Sequence, residues 1–131
     1  MIVTVHRDRW FRAEFEPGTG IARVARTAEP WDDPKAGEAS YRAIATHAWP
    51  RPKSELRLLF DLRAAPPRND AVFEEVVNRL SPVMFEGWAK VVVLVQTQVG
   101  KLQVDRLNRA RGAPPGPVFT DETAAMTHLL A

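Results

Sequence analysis

Lys90–Thr97 reads KVVVLVQT, and its apolar core Val91–Val95 shows no alternation. An unbroken run of this kind marks a strand covered on both faces, the usual state in a parallel sheet. Upstream, Glu55–Leu62 reads ELRLLFDL. It places Leu56, Leu58, Phe60 and Leu62 on one face and Leu59 on the other. A polar, proline-rich loop spans 63–69. A helix then starts near Asp70, a good N-cap, with Glu74 and Glu75 in early turns that favour anions. Phe73, Val77, Leu80 and Met84 form its buried stripe, joined by Val76 and Val83. Pro82 is expected to kink or break it. Strand, helix and strand make a βαβ unit, so the two strands are expected side by side and parallel, with a right-handed crossover.

Beyond this unit, Val99–Arg111 reads as an amphipathic helix ended by Gly112. Pro117–Thr120 is a short strand. Asp121–Leu130 is a last helix with Ala125, Met126, Leu129 and Leu130 on one side. On the N-terminal side, Met1–Asp8 reads as a strand rich in β-branched residues. Trp10–Glu16 and Ile21–Thr27 alternate with period two around the turn Pro17-Gly18-Thr19-Gly20, which predicts a hairpin. Asp33 and Pro34 open a helix expected to reach Trp49, before Pro50 and Pro52. The fold expected is α/β: one domain over 1–131, a mixed sheet with a parallel centre, antiparallel N-terminal strands and about four helices.

Three features give the stretch from Leu56 onward a resemblance to the STAS domain, the fold of anti-sigma-factor antagonists and their STAS/Sec14-like bacterial relatives. The first is a strand ending Phe60-Asp61-Leu62, followed by a loop and a helix. The second is the strand Val91–Val95 leading to a helix that ends near Arg111-Gly112. The third is the closing segment Val118-Phe119-Thr120-Asp121-Glu122-Thr123-Ala124-Ala125, running into Leu129-Leu130. The resemblance implies a regulatory module that binds another protein, or itself as a homodimer. It also implies a phosphorylatable Ser or Thr at the start of the helix after the Asp-Leu strand. The matching positions here are Asn69 and Asp70, and neither can be phosphorylated. That switch is not carried over, although Asp70 offers a fixed negative charge.

The composition agrees with an ordinary globular domain: 131 residues, 45% apolar and 26% charged. No cysteine is present, which excludes disulfides, thiolate metal sites and cysteine nucleophiles. Lys and Arg number 18 against 16 Asp and Glu, and the signs alternate along the chain. No basic stripe marks a nucleic-acid surface. No run approaches the roughly 20 apolar residues that span a bilayer, so membrane insertion is not expected. A cytoplasmic location is the expectation.

Catalytic patterns are missing from the sequence. His6, His47 and His128 fall on separate elements without metal-ligand spacing. Ser40, Ser54 and Ser81 stand outside any nucleophile-elbow motif. Neither a cofactor nor enzyme activity is expected. Asp61 lies near the C-terminal end of its strand, where open α/β sheets bind ligands, and a half-buried carboxylate there can do acid–base work. The simpler reading is that Asp61 accepts N–H groups from the next loop, or pairs with Arg57 or Arg63.

The candidate interaction residues are Arg63, Arg68, Asn69, Asp70 and Lys101 on the rim of strand ends, with Trp31 and Trp49 as aromatic anchors. Gln96, Thr97, Gln98, Thr120 and Asp121 share that rim. Two helix N-termini point toward it, so an anion or nucleotide phosphate fits beside Arg68 and Lys101; a bare polar rim is the plainer account. Trp and Arg are frequent interface anchors, whereas core packing is the plainer account of each Trp. A small-ligand or lipid carrier is the alternative function. Its ligand would sit under the 34–49 helix or at the strand ends.

Overall fold

The structure, a computed structural model, describes residues 1–66, 71–111 and 116–131, with the backbone alone at 71–74, 103, 105 and 107–111. Among the described residues six strands form one sheet in chain order. They are β1 (Val3–Arg7), β2 (Phe11–Glu16), β3 (Ile21–Arg26), β4 (Arg57–Asp61), β5 (Lys90–Leu94) and β6 (Val118–Phe119). β1–β2 and β2–β3 are antiparallel, whereas β3–β4, β4–β5 and β5–β6 are parallel. The expected adjacency of the two apolar strands is therefore observed, with Leu58 opposite Val91 and Asp61 opposite Leu94.

Four helices follow the expected order: α1 (Pro34–Ala45), α2 (Ala71–Phe85), α3 (Gln98–Arg111) and α4 (Glu122–Leu130). The larger core lies on the sheet face that carries α1 and α2. It joins Phe11, Val24, Leu58, Phe60 and Val93 to Tyr41, Ile44, Leu80 and Met84, with Val104 of α3 packed at its margin. The second core joins Leu59, Val92 and Leu94 to Ala125 and Leu129 of α4. The double coverage of β4 and β5 explains their apolar character on both faces.

α1 begins as read, with the Asp33 carboxylate accepting the Ala36 N–H at 3.2 Å and Pro34 at the first position. It ends at Ala45 rather than near Trp49. The Thr46 N–H and hydroxyl both donate to the Arg42 carbonyl and close the last turn. Pro82 does not break α2, which continues through Phe85. Proline at this position costs one helical hydrogen bond, but its ring is exposed, and Leu80, Ser81 and Met84 stay buried around it.

Trp31 is a core residue, 2% exposed, and not a surface anchor. Its ring lies against Gly37 of α1, where an added Cβ would come within 2.6 Å of it. The glycine that thins the helical stripe in sequence is thus the notch that admits the indole. Trp10 flanks the Trp31 ring at 5.9 Å.

Candidate functional site

One row of laterally paired residues crosses the sheet near the C-terminal ends of its parallel strands. It runs Arg7, Arg12, Ala25, Asp61, Leu94, Phe119. Laterally paired residues share a face, so the row points its side chains toward the α4 side. Leu94 and Phe119 pack into the α4 core. The row is polar where that core ends, over the antiparallel half of the sheet.

Asp61 is the buried carboxylate of this row, at 8% exposure. Its Oδ1 accepts the Arg63 backbone N–H and Nε–H, each at 3.0 Å, and its Oδ2 accepts the Arg63 terminal N–H at 2.8 Å. Arg63 also donates to Glu122 of α4 at 2.8 Å. Arg23 donates to the same Glu122 oxygen at 3.1 Å and stands 3.8 Å from Asp61. Two guanidinium groups and two carboxylates thus close a ring that ties β3 and β4 to the first turn of α4. Burial pushes the Asp61 carboxyl up, but the bonds from Arg63 and the charges of Arg63 and Arg23 outweigh it and hold it below the ordinary range. Its hydrogen bond to Asp61 pushes the Arg63 guanidinium up. A carboxylate held ionised this firmly is a poor proton donor or acceptor near neutrality. Of the two readings of Asp61, the pairing with Arg63 and its loop N–H is the one observed.

Above Ala25 the row opens into a groove of about 590 Å³. Arg12 lines it on the β2 side of Ala25, Asp61 on the β4 side, and Arg63, Ala64, Gln96 and Thr120 from the segments that follow the strands. Arg63, Gln96 and Thr120 are rim residues visible in the sequence. Arg12 and Ala25 were missed, because only the sheet register carries β2 and β3 beside the strand ends of the βαβ unit. Lys101 sits in the first turns of α3 and does not line the groove. Arg68, Asn69 and Asp70 lie outside the described residues. Arg26 reaches the groove edge, but its guanidinium bonds the carbonyls of Trp10, Thr27 and Glu29 and packs over Phe11 and Trp31 on the opposite face.

A second polar cluster lies at the turn between β1 and β2. Asp8 Oδ1 accepts the N–H groups of Trp10 and Phe11, and Asp8 Oδ2 meets Ser40 Oγ at 2.7 Å and His6 Nε2 at 2.9 Å. Burial raises the Asp8 carboxyl, but these four bonds bring it below its ordinary value. Ser40 bonds the carboxylate rather than the imidazole, so the order needed to activate a serine is not built here. The His6 ring meets His47 at 5.9 Å, His47 meets Trp49 at 5.3 Å, and Trp49 meets Trp88 at 5.5 Å. Trp49 is accordingly half-buried in an aromatic chain. Among the described residues, no group of three or more histidine and acidic side chains is arranged to hold a metal ion.

The arrangement of sheet and helices has counterparts among solved structures. An anti-sigma-factor antagonist (STAS) domain protein from Planctomyces limnophilus superposes with a TM-score of 0.58 over 92% of this chain and 98% of its own, at 16% identity. An anti-sigma factor antagonist from Mycobacterium paratuberculosis gives 0.53 over 98% and 94%, at 14% identity. The chain has a STAS-like fold. No protein-family model matches the sequence, and no curated protein matches it either. The STAS-like character lies in the backbone arrangement, which persists at identities where sequence comparison fails. No helix among the described residues is long and apolar enough to cross a membrane.

Proposed function

We propose that this chain is a non-catalytic regulatory module that works by binding another protein, or a second copy of itself. The observation that carries this reading is the STAS-like fold shared with two anti-sigma-factor antagonists along nearly the whole chain. The chemistry of the rim supports it. Its buried carboxylate is neutralised within a ring of ion pairs rather than offered to a substrate. Asn69 and Asp70 stand where the resemblance places a phosphorylatable residue, so regulation here does not run through phosphorylation at those positions.

A partner-facing surface is available beside the rim. Val99 and Leu102, one helical turn apart in α3, are 67% and 64% exposed. Exposed aliphatic side chains of this kind suit a protein contact. Native mass spectrometry, with affinity capture by the wild-type chain and by Leu102→Asp, tests the reading. A stoichiometric protein complex or homodimer lost in the variant supports it. A chain that stays monomeric and captures nothing in a stoichiometric complex, or whose complexes ignore the substitution, counts against it.

The small-ligand reading keeps one observation in its favour, the groove over Ala25. The space between the sheet and α1 is occupied by Trp31, Tyr41 and Ile44.

A further inference from the structure

We propose that the groove over Ala25 binds a phosphoryl dianion, with Arg12 as its principal cation and Gln96 and Thr120 as neutral donors. The site goes beyond the protein-binding role and stands on different residues.

The placement of charge argues for it. Arg7 and Arg12 lie directly opposite each other on β1 and β2. Like charges in that position repel. Arg7 makes no ion pair with a described residue. Arg12 has one carboxylate in reach, Glu14 at 3.3 Å, and its side chain is 48% exposed. In contrast, Arg23 and Arg63 are matched by Asp61 and Glu122. Among the described residues Arg7 and Arg12 thus face a single carboxylate partner, Glu14, which leaves one positive charge in excess at the Arg12 end of the row, where the groove opens.

Shape argues for it as well. Ala25 stands between Arg12 and Asp61 in the lateral row, and a small side chain there leaves the groove its depth. Gln96 is exposed beside it, and Thr120 adds a hydroxyl. A guanidinium fork with neutral donors matches phosphoryl oxygens, and Arg is the side chain suited to that geometry. Arg63, Ala64, Gln96 and Thr120 follow the C-terminal ends of β4, β5 and β6, so loop side chains and the sheet residues Arg12 and Ala25 meet at the groove. At about 590 Å³ it has room for the organic body of a small phosphomonoester as well as a free ion.

Isothermal titration of the full chain at constant ionic strength tests the site, with inorganic phosphate, glycerol 3-phosphate and acetate as probes. Saturable binding of either phosphoryl compound is expected, weakened about tenfold in Arg12→Gln, which removes a charge-assisted hydrogen bond. Ala25→Val should abolish it by filling the groove, and Arg42→Gln, on the exposed face of α1, should leave it unchanged. Circular dichroism checks that each variant folds. Tighter binding of the ester than of phosphate assigns the natural ligand to a phosphomonoester; equal binding assigns it to the free ion. No saturable binding, binding indifferent to both Arg12→Gln and Ala25→Val, or acetate binding as tightly as phosphate overturns the proposal. The outcome is independent of whether Leu102→Asp loses a protein partner.

Discussion

Arg63 grips Asp61, two residues before it, through both carboxylate oxygens and through its own backbone N–H. This local clamp turns the chain at the end of β4 and delivers the same guanidinium to Glu122 of α4. The residue that looks most like a free cation on the rim is thus a structural tie, and charge reversal at Arg63 is a poor probe of binding alone.

Arg63→Ala should lower stability by about 1.5–3 kcal/mol, because it strips hydrogen bonds from a buried carboxylate and leaves Arg23 as its remaining cation. Asp61→Asn should cost less, since the amide oxygen still accepts the loop N–H. Urea unfolding of the two variants checks the order. A larger loss in Asp61→Asn would show that the clamp is not what holds the β4 end.

Acid should unfold the protein through Asp61 and Asp8. Both carboxyls are held below their ordinary values in the fold. Their contribution is therefore present above the unfolded pKa near 4 and is lost as pH falls through the lower folded values. Unfolding free energy measured from pH 5 to pH 2 should drop steeply below about pH 4, and Asp61→Asn should flatten the drop.

His47 has the opposite sense. Burial first, and then the His6 charge, lower its pKa. The unfolded chain therefore takes up the proton before the folded one, and stability falls as pH drops below about 6.5. Thermal melts at pH 7.5 and 5.5 should show the decrease, and His47→Gln should reduce it. An equal decrease in the variant would assign it to other groups.

Gly37→Ala should destabilise the protein by about 1–3 kcal/mol through overpacking, even though alanine is the better helix former. The added Cβ would meet the Trp31 ring at 2.6 Å. Pairing it with Trp31→Leu should recover part of the loss relative to the sum of the single changes. Strict additivity would mean that Trp31 and Gly37 are not coupled as the structure places them.

Leu102→Asp should leave the melting temperature nearly unchanged, because the side chain is 64% exposed. If partner binding depends on this surface, it should fall without loss of stability. A melting point lowered by several degrees would show that Leu102 supports the fold.

The sequence by itself determined the order and type of the six strands and four α-helices, though not the short 3-10 turn Lys53–Glu55 before β4. Alternation in Trp10–Glu16 and its loss in Val91–Val95 report how many faces of those two strands are covered, a local property of side-chain pattern, whereas Ile21–Thr27 alternates and yet β3 is buried on both faces. The Asp33-Pro34 helix start was legible for the same reason, since a cap acts within one turn. Tertiary structure alone decided the rest. Only the lateral register sets Arg12 and Ala25 beside Asp61, because residues far apart in the chain meet through backbone pairing that no local pattern encodes. Only packing shows that Trp31 fills the notch at Gly37, since an indole beside a proline reads the same in sequence whether buried or exposed. Only the fold sets Arg63 between Asp61 and Glu122, and that contact between distant elements makes it a structural tie.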